Sequence, residues 1–119
     1  TGKKHFYKEI IEYANRTWRD LGFREMEGDF IVPGLLNFDA LYIPQDHPAR
    51  EMQDTFFMER PEMSDLSGLE HTKNIRETHE NGWKTGSEGW QYDWSEEEAR
   101  KNVLRTHTTA VSARKLSEL

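Results

Sequence analysis

The sequence predicts a single α+β domain in which amphipathic helices are separated by short extended segments. A length of 119 residues suits one domain with a modest core. Apolar residues recur at three- and four-residue steps over 4–21, which is typical of a helix with one buried face. The short apolar run at 30–32, followed by Pro33-Gly34, is typical of a strand and a turn. We therefore expect residues 1–119 to form one partial domain.

Composition excludes several classes of protein. With 22 acidic and 16 basic residues the formal net charge is −6, which argues against autonomous, non-specific nucleic-acid binding. The lack of cysteine excludes a disulfide scaffold, a Cys-ligated zinc site and a thiol nucleophile. No apolar stretch approaches eighteen residues, so we predict no membrane span. The chain starts at Thr1 with no secretory leader, and we expect it to be a piece of a longer protein.

The N-terminal half is predicted to contain one long helix and two extended segments. Gly22 ends the helix over 4–21, and residues 23–32 follow in an extended conformation. Apolar residues over 35–50 have no clean period, whereas 53–58 predict a strand.

The C-terminal half is predicted to be mainly helical. Ser67 and Glu70 have the spacing of a capping box, which favours a surface helix over 64–81 that ends at Gly82. A loop rich in glycine and tryptophan over 82–94 is expected to cover the edge of the core. Ser95 and the three glutamates after it predict the start of another helix.

Two polar patterns are weak indications of a site. His71 and His79 are eight residues apart rather than the four that bring two metal ligands together, so we expect both to be solvated. The segment 82–86 resembles a phosphate loop only superficially, because Trp83 stands where that pattern needs glycine. We expect no metal or phosphate site from these residues.

A cluster of charged residues lies among Phe and Leu residues over 39–54. Buried charges must be paired, so we expect Arg50 to pair with Asp54 or Asp46. An acid–His47–hydroxyl arrangement for nucleophilic catalysis is not favoured, because nothing resembles a nucleophile elbow.

The richest polar segment, 104–112, is predicted to run from a short strand (104–106) into a final helix that ends at Leu119. Free N–H groups at a helix N-terminus favour an anion, and Thr109 and Ser112 share one face of the first turn because they are three residues apart. The alternative is that Thr108 or Thr109 simply caps the helix. The spacing leaves both interpretations open.

Two blocks carry a resemblance to a known family. Asn-Phe-Asp-Ala-Leu-Tyr-Ile-Pro-Gln-Asp-His-Pro-Ala-Arg-Glu-Met-Gln-Asp-Thr-Phe (37–56) and Leu-Arg-Thr-His-Thr-Thr-Ala-Val-Ser-Ala-Arg (104–114) strongly resemble the catalytic domain of the phenylalanyl-tRNA synthetase α subunit. The loop Gly-Ser-Glu-Gly-Trp (86–90) and its exit at 94–95 are similar to the archaeal or eukaryotic branch.

The resemblance implies the class II synthetase core, an antiparallel sheet with flanking helices, in which residues 4–33 are the dimer-forming first class motif. The chain departs from the family pattern at Asp29, Val32 and Leu36, where the family has a proline, a glutamate and an aromatic residue. The second and third class motifs, whose arginines hold ATP, are expected beyond Leu119.

The implied function is ATP-dependent activation of phenylalanine and its transfer to tRNA by a cytoplasmic α2β2 enzyme. ATP and Mg²⁺ are expected in the full enzyme and neither in this part alone, which is expected to be inactive. By position, Thr109 and Ser112 match phenylalanine-binding hydroxyls with His107 beside them, and Gln53 matches a pocket aromatic less closely. We also expect self-association through helix 4–21, because its apolar face has too little chain to cover it.

Two other functions stay open at this point. The chain could belong to a non-catalytic binding or regulatory paralogue, or to a related synthetase for another amino acid. A Phe-Arg-x-Glu segment further along the gene would separate the first of these from an enzyme.

Overall fold

The computed structural model of the chain describes residues 1–51 and 54–119. Within these ranges the chain combines helices with a two-stranded antiparallel sheet, as the α+β prediction requires. The helices are α1 (Phe6–Asp20), α2 (Gly34–Asn37), α3 (Thr72–Asn81), α4 (Glu96–Arg100) and α5 (Thr109–Glu118); the strands are β1 (Ile31–Pro33) and β2 (Asn102–Leu104). Two single 3-10 turns cover Asp39–Leu41 and Pro48–Arg50.

The first helix confirms the prediction for 4–21 with slightly shorter bounds. Its start is fixed by His5, whose ring accepts a hydrogen bond from the Tyr7 N–H at 3.1 Å. Its end is fixed by Gly22, which adopts a φ of +94° and donates to the Arg19 carbonyl. The described part of the chain buries no residue of α1, and Trp18 on its apolar face is 54% exposed.

The sheet joins the segment before α2 to the segment before α5. β1 and β2 pair in antiparallel register, with Val32 opposite Val103. Hydrogen bonds from Gly34 N–H to the Lys101 carbonyl and from Arg105 N–H to the Phe30 carbonyl continue the ladder at both ends. The predicted strand over 104–106 thus lies two residues earlier, and only the end of the predicted extended segment 23–32 is a strand.

Two apolar clusters form the core. One packs the sheet against α5 and contains Val32, Phe38, Val103 and Ala110. The other packs α2 against α4 and the glycine-rich loop and contains Leu35, Leu66, Trp94 and Ala99. Burial of Trp94 confirms in part that the loop covers the edge of the core, whereas Trp83 and Trp90 are 42% and 49% exposed. Of the three departures from the family pattern, Val32 and Leu36 are buried and Asp29 is exposed.

Three local predictions are wrong. Pro33 ends β1 and Gly34 begins α2, so this pair is not a turn. Over the described residues 54–58 there is only an isolated bridge from Phe57 to Val103, rather than a strand. The helix predicted over 64–81 begins at Thr72, because Asp65 accepts hydrogen bonds from the main chain and hydroxyl of Ser67 and holds a turn there.

The end of α3 confirms the role of Gly82. This glycine has a φ of +85° and donates to the Thr78 carbonyl. In the described ranges, no helix has the length and apolar character needed to cross a membrane.

Candidate functional site

The polar segment between β2 and α5 is tied to the residues that precede β1. Arg105 donates from its guanidinium to the Gly28 carbonyl at 3.1 Å, and its cation lies 4.9 Å from the centre of the Phe30 ring. A Cβ on Gly28 would lie 2.6 Å from a Val111 methyl, so the chain at Gly28 contacts α5 directly. The start of α5 is therefore set by long-range contacts.

Asn37, the last residue of α2, makes a second set of contacts with this segment. Its side-chain oxygen accepts from the Thr106 N–H at 3.1 Å, and its amide nitrogen donates to the Thr106 hydroxyl at 3.0 Å. Its carbonyl oxygen lies 2.9 Å from Nε2 of His107. A carbonyl oxygen only accepts, so Nε2 carries a proton and, in the neutral ring, Nδ1 is an acceptor. That Nδ1 is buried and has no partner among the residues that the structure describes.

The structure does not support the interpretation that a threonine side chain caps the start of α5. Thr108 occupies the N-cap position, but within the described ranges its hydroxyl makes no bond to the first turn. Thr109 is the first helical residue and is exposed. The Val111 N–H donates to the Thr108 carbonyl at 3.0 Å. The N–H groups of Thr109 and Ala110 have no side-chain cap from Thr108 and favour an anion.

Ser112 lies at a cavity of about 600 Å³ beside this helix start. The cavity has one carboxylate, from Glu27, and one guanidinium, from Arg105. Apolar contacts are available from Met26 and Phe30, and the remaining lining residues are Gly28, Thr108 and Val111. Opposite charges beside apolar groups, in a volume typical of small-ligand sites, suit a zwitterion with an apolar side chain.

The structure does not bring all the predicted site residues to this one cavity. Among the described residues that line it, Ser112 is present, whereas Thr109 and His107 are not. His107 points instead to the carbonyl of Asn37. Gln53 lies outside the described residues.

The charged cluster over 39–54 is organised around a buried aspartate. Asp39 is 2% exposed, and one of its oxygens lies 2.9 Å from the Arg50 guanidinium. Its other oxygen accepts from the Trp94 indole at 2.6 Å and from the Gln45 amide at 3.0 Å. The expected pairing of Arg50 with Asp46 or Asp54 is therefore wrong. Both of those aspartates are exposed, whereas the buried carboxylate of Asp39 needs a counter-charge.

His79 extends this network, and its predicted solvation is wrong. The ring is completely buried; Nε2 donates to the Asp39 carbonyl at 2.8 Å, and Nδ1 lies 2.7 Å from the Tyr92 hydroxyl. Burial raises the pKa of Tyr92 to about 12, so this hydroxyl is neutral at physiological pH. His71, in contrast, is exposed as predicted. The network joins the segment 39–45 to α3 and to the glycine-rich loop.

Sequence reasoning did not single out Asn37 as a site residue or identify Asp39 as the partner of Arg50. A signal for both was available, because they flank Phe38 directly after Leu35 and Leu36. A polar residue within an apolar run is buried with its neighbours and must find a partner there.

Comparisons with known proteins identify the family. The family described as tRNA synthetases class II core domain (F) matches residues 1–119. The phenylalanine–tRNA ligase α subunit of Methanopyrus kandleri is 51% identical over 118 residues, which are 99% of this chain and 22% of that protein. The corresponding subunit of Archaeoglobus fulgidus is 51% identical over 117 residues, or 98% of this chain and 24% of that protein.

A eukaryotic relative shows the same pattern. The phenylalanine–tRNA ligase α subunit of Dictyostelium discoideum is 47% identical over 119 residues, which are 99% of this chain and 24% of that protein. The chain thus spans about a quarter of the length of the curated relatives it matches. The match over its whole length, together with the helices and the antiparallel strands, confirms the resemblance and the α+β prediction. The chain belongs to the family of class II tRNA synthetase core domains.

Proposed function

We propose that this chain is a part of the α subunit of a phenylalanine–tRNA ligase and contributes dimer-forming and amino-acid-binding elements to it. The intact protein would condense phenylalanine with ATP and transfer the aminoacyl group to tRNA. The observation that carries the proposal is identity of about half over nearly the whole chain to α subunits of that ligase from archaea and a eukaryote. Residues 1–119 would be one partial domain of that subunit.

In this proposal, the start of α5 receives the polar end of phenylalanine. Thr109 and Ser112 supply hydroxyls and His107 stands beside them, whereas Gln53 is assigned to the site more weakly and by resemblance alone. Support comes from the cavity at Ser112, which is lined by one acidic and one basic residue, and from the exposed Thr109 on the first turn of a ten-residue helix. A carboxylate there gains from the N–H groups of that turn.

The phosphate chemistry is assigned to the rest of the subunit. Activation with ATP builds charge on phosphate oxygens, which cations and Mg²⁺ stabilise. Within residues 1–51 and 54–119 no three His, Cys, Asp or Glu side chains are grouped to hold a metal ion. The described residues do not fit Mg²⁺, and we derive no step through it.

The proposed partners are tRNA and a β subunit, in a cytoplasmic α2β2 assembly. The uncovered apolar face of α1 supports an association surface, because Phe6, Ile10 and Trp18 are each more than half exposed. In the isolated chain the same face would lead to self-association.

The test is phenylalanine-dependent exchange of pyrophosphate into ATP by the intact subunit with its β partner. We expect exchange from the intact complex and none above a no-enzyme blank from the 119-residue chain. Exchange with another amino acid but not with phenylalanine would indicate a related synthetase. Complete lack of exchange in the intact complex would indicate a non-catalytic paralogue.

A further inference from the structure

We propose that Asn37 is a positioning residue that fixes the start of α5 and, through it, the proposed phenylalanine-binding groups. The consequence for phenylalanine rests on the function proposed above. The structural half of the proposal, that Asn37 holds residues 106–110 in place, rests only on contacts within this chain.

Asn37 is placed rigidly enough to act in this way. It is completely buried and ends α2, whose other three residues are also buried. Its amide orientation follows from chemistry, because a main-chain N–H can only donate and the side-chain oxygen must therefore face Thr106 N–H. If the amide group turned over, its nitrogen would face the Thr106 N–H, donor against donor, and the bond to that N–H would be lost.

The segment that Asn37 holds includes residues 106–108, which lie in the junction between β2 and α5. Thr106 lies beyond the end of β2 and before the start of α5, so neither element supplies a partner for its N–H. The Thr108 hydroxyl makes no capping bond in the described part of the chain. The side chain of Asn37 bonds to Thr106 and its carbonyl bonds to His107, so two successive residues of the junction are fixed by one buried residue.

Loss of these bonds would move the binding groups without removing them. Asn37→Ala keeps the main-chain carbonyl that His107 contacts but removes both side-chain bonds to Thr106, which lies three residues before Thr109. When a group that positions the substrate moves by as little as an ångström, the enzyme loses affinity and rate. We expect Asn37→Ala to raise the KM for phenylalanine about tenfold and to leave the KM for ATP unchanged.

Asn102 provides a matched control. It is also a buried asparagine, at 3% exposure, but its side chain bonds to the Ser64 hydroxyl and the Pro61 carbonyl instead of the junction. Asn102→Ala should lower the melting temperature by a similar amount and leave the KM for phenylalanine within twofold of the wild type. A milder variant, Thr106→Val, removes one of the two side-chain bonds at an exposed position, and we expect a two- to threefold rise in that KM.

The experiment measures two quantities on the intact complex: amide hydrogen exchange over 106–110 and the KM for phenylalanine. In Asn37→Ala, we expect the acceleration of amide hydrogen exchange over 106–110 to be about ten times the acceleration in α3. In Asn102→Ala, we expect the two regions to be accelerated equally. For Asn37→Ala, equal acceleration in both regions, or a KM no different from that of Asn102→Ala, would overturn the proposal. If the wild-type complex shows no phenylalanine-dependent activity, the proposed function fails, and hydrogen exchange still decides whether Asn37 positions α5. Should Asn37→Ala not fold, Thr106→Val decides by the same two measurements.

Discussion

Removing the carboxylate of Asp39 should destabilise the fold more than any single surface change. In Asp39→Ala, the guanidinium of Arg50 would stay buried without its counter-charge, since its side chain is only 10% exposed. Truncating one partner of a buried ion pair costs about 3–5 kcal/mol. Donors on Trp94 and Gln45 would also lose their acceptor, although these costs overlap with the first. We expect the free energy of unfolding to fall by about 4 kcal/mol.

The conservative variant separates charge from hydrogen bonding. Asp39→Asn keeps an oxygen that can accept from the Trp94 indole but lacks the negative charge that faces Arg50. Because Arg50 still lacks its counter-charge, we expect a loss of about 3 kcal/mol, smaller than for Asp39→Ala by roughly the one hydrogen bond that is kept. In the double variant Asp39→Ala with Arg50→Met, the uncompensated charge is gone, so the loss should be smaller than the sum of the two single losses.

Urea unfolding followed by tryptophan fluorescence measures these differences, because Trp94 is buried against Asp39 in the folded state. The matched control is Glu80→Ala in the exposed pair Arg76–Glu80, which should cost only about 0.3–0.5 kcal/mol. A loss for Asp39→Ala as small as that of Glu80→Ala would refute the assignment of Asp39 as a buried, paired charge.

Three further predictions concern the loop, the site and the first helix. Gly82→Ala should lower the free energy of unfolding by at least about 2 kcal/mol in thermal unfolding, because the new Cβ would lie 1.7 Å from a main-chain oxygen. The control Gly86→Ala has a similar φ but open space around the new Cβ, and it should cost about 1 kcal/mol. In the intact enzyme, Ser112→Ala and Thr109→Ala should each reduce kcat/KM for phenylalanine by roughly three- to tenfold with the KM for ATP little changed; normal phenylalanine kinetics in both variants would leave only a structural role. Trp18→Glu should shift the isolated chain towards monomer in sedimentation at about 100 µM, and a strictly monomeric wild type would contradict association through α1.

Elements with local signals were predictable from the sequence. The start of α4 follows from Ser95, whose hydroxyl accepts from the Glu98 N–H at 3.3 Å, as the spacing predicts. The long helix α1 follows from its periodicity, and the end of α3 from Gly82. In each case the residues that determine the structure are within a few positions of one another.

Features that depend on distant residues were not predictable in this way. The spacing of Ser67 and Glu70 has the form of a capping box, but Asp65 competes for the same Ser67 groups and holds a turn. His79 lies on a helix with few apolar residues, and its burial depends on contacts with Asp39, 40 positions away in the sequence. The register of β1 on β2 likewise joins residues about 70 positions apart.

The two blocks that carry the family resemblance are joined in the fold by Asn37 and Thr106. The first block also receives the glycine-rich loop, through bonds from the Trp94 indole to Asp39 and from the Trp90 indole to the Tyr42 carbonyl. Residues 37–45 therefore lie between the loop and the start of α5, and they contact both. A change in the loop that disturbs Asp39 can reach the proposed binding groups through Asn37, two residues earlier in the chain, and through Phe38, which packs in one cluster with Ala110 of α5. This shared support gives a physical reason for these polar residues to be buried within an otherwise apolar segment.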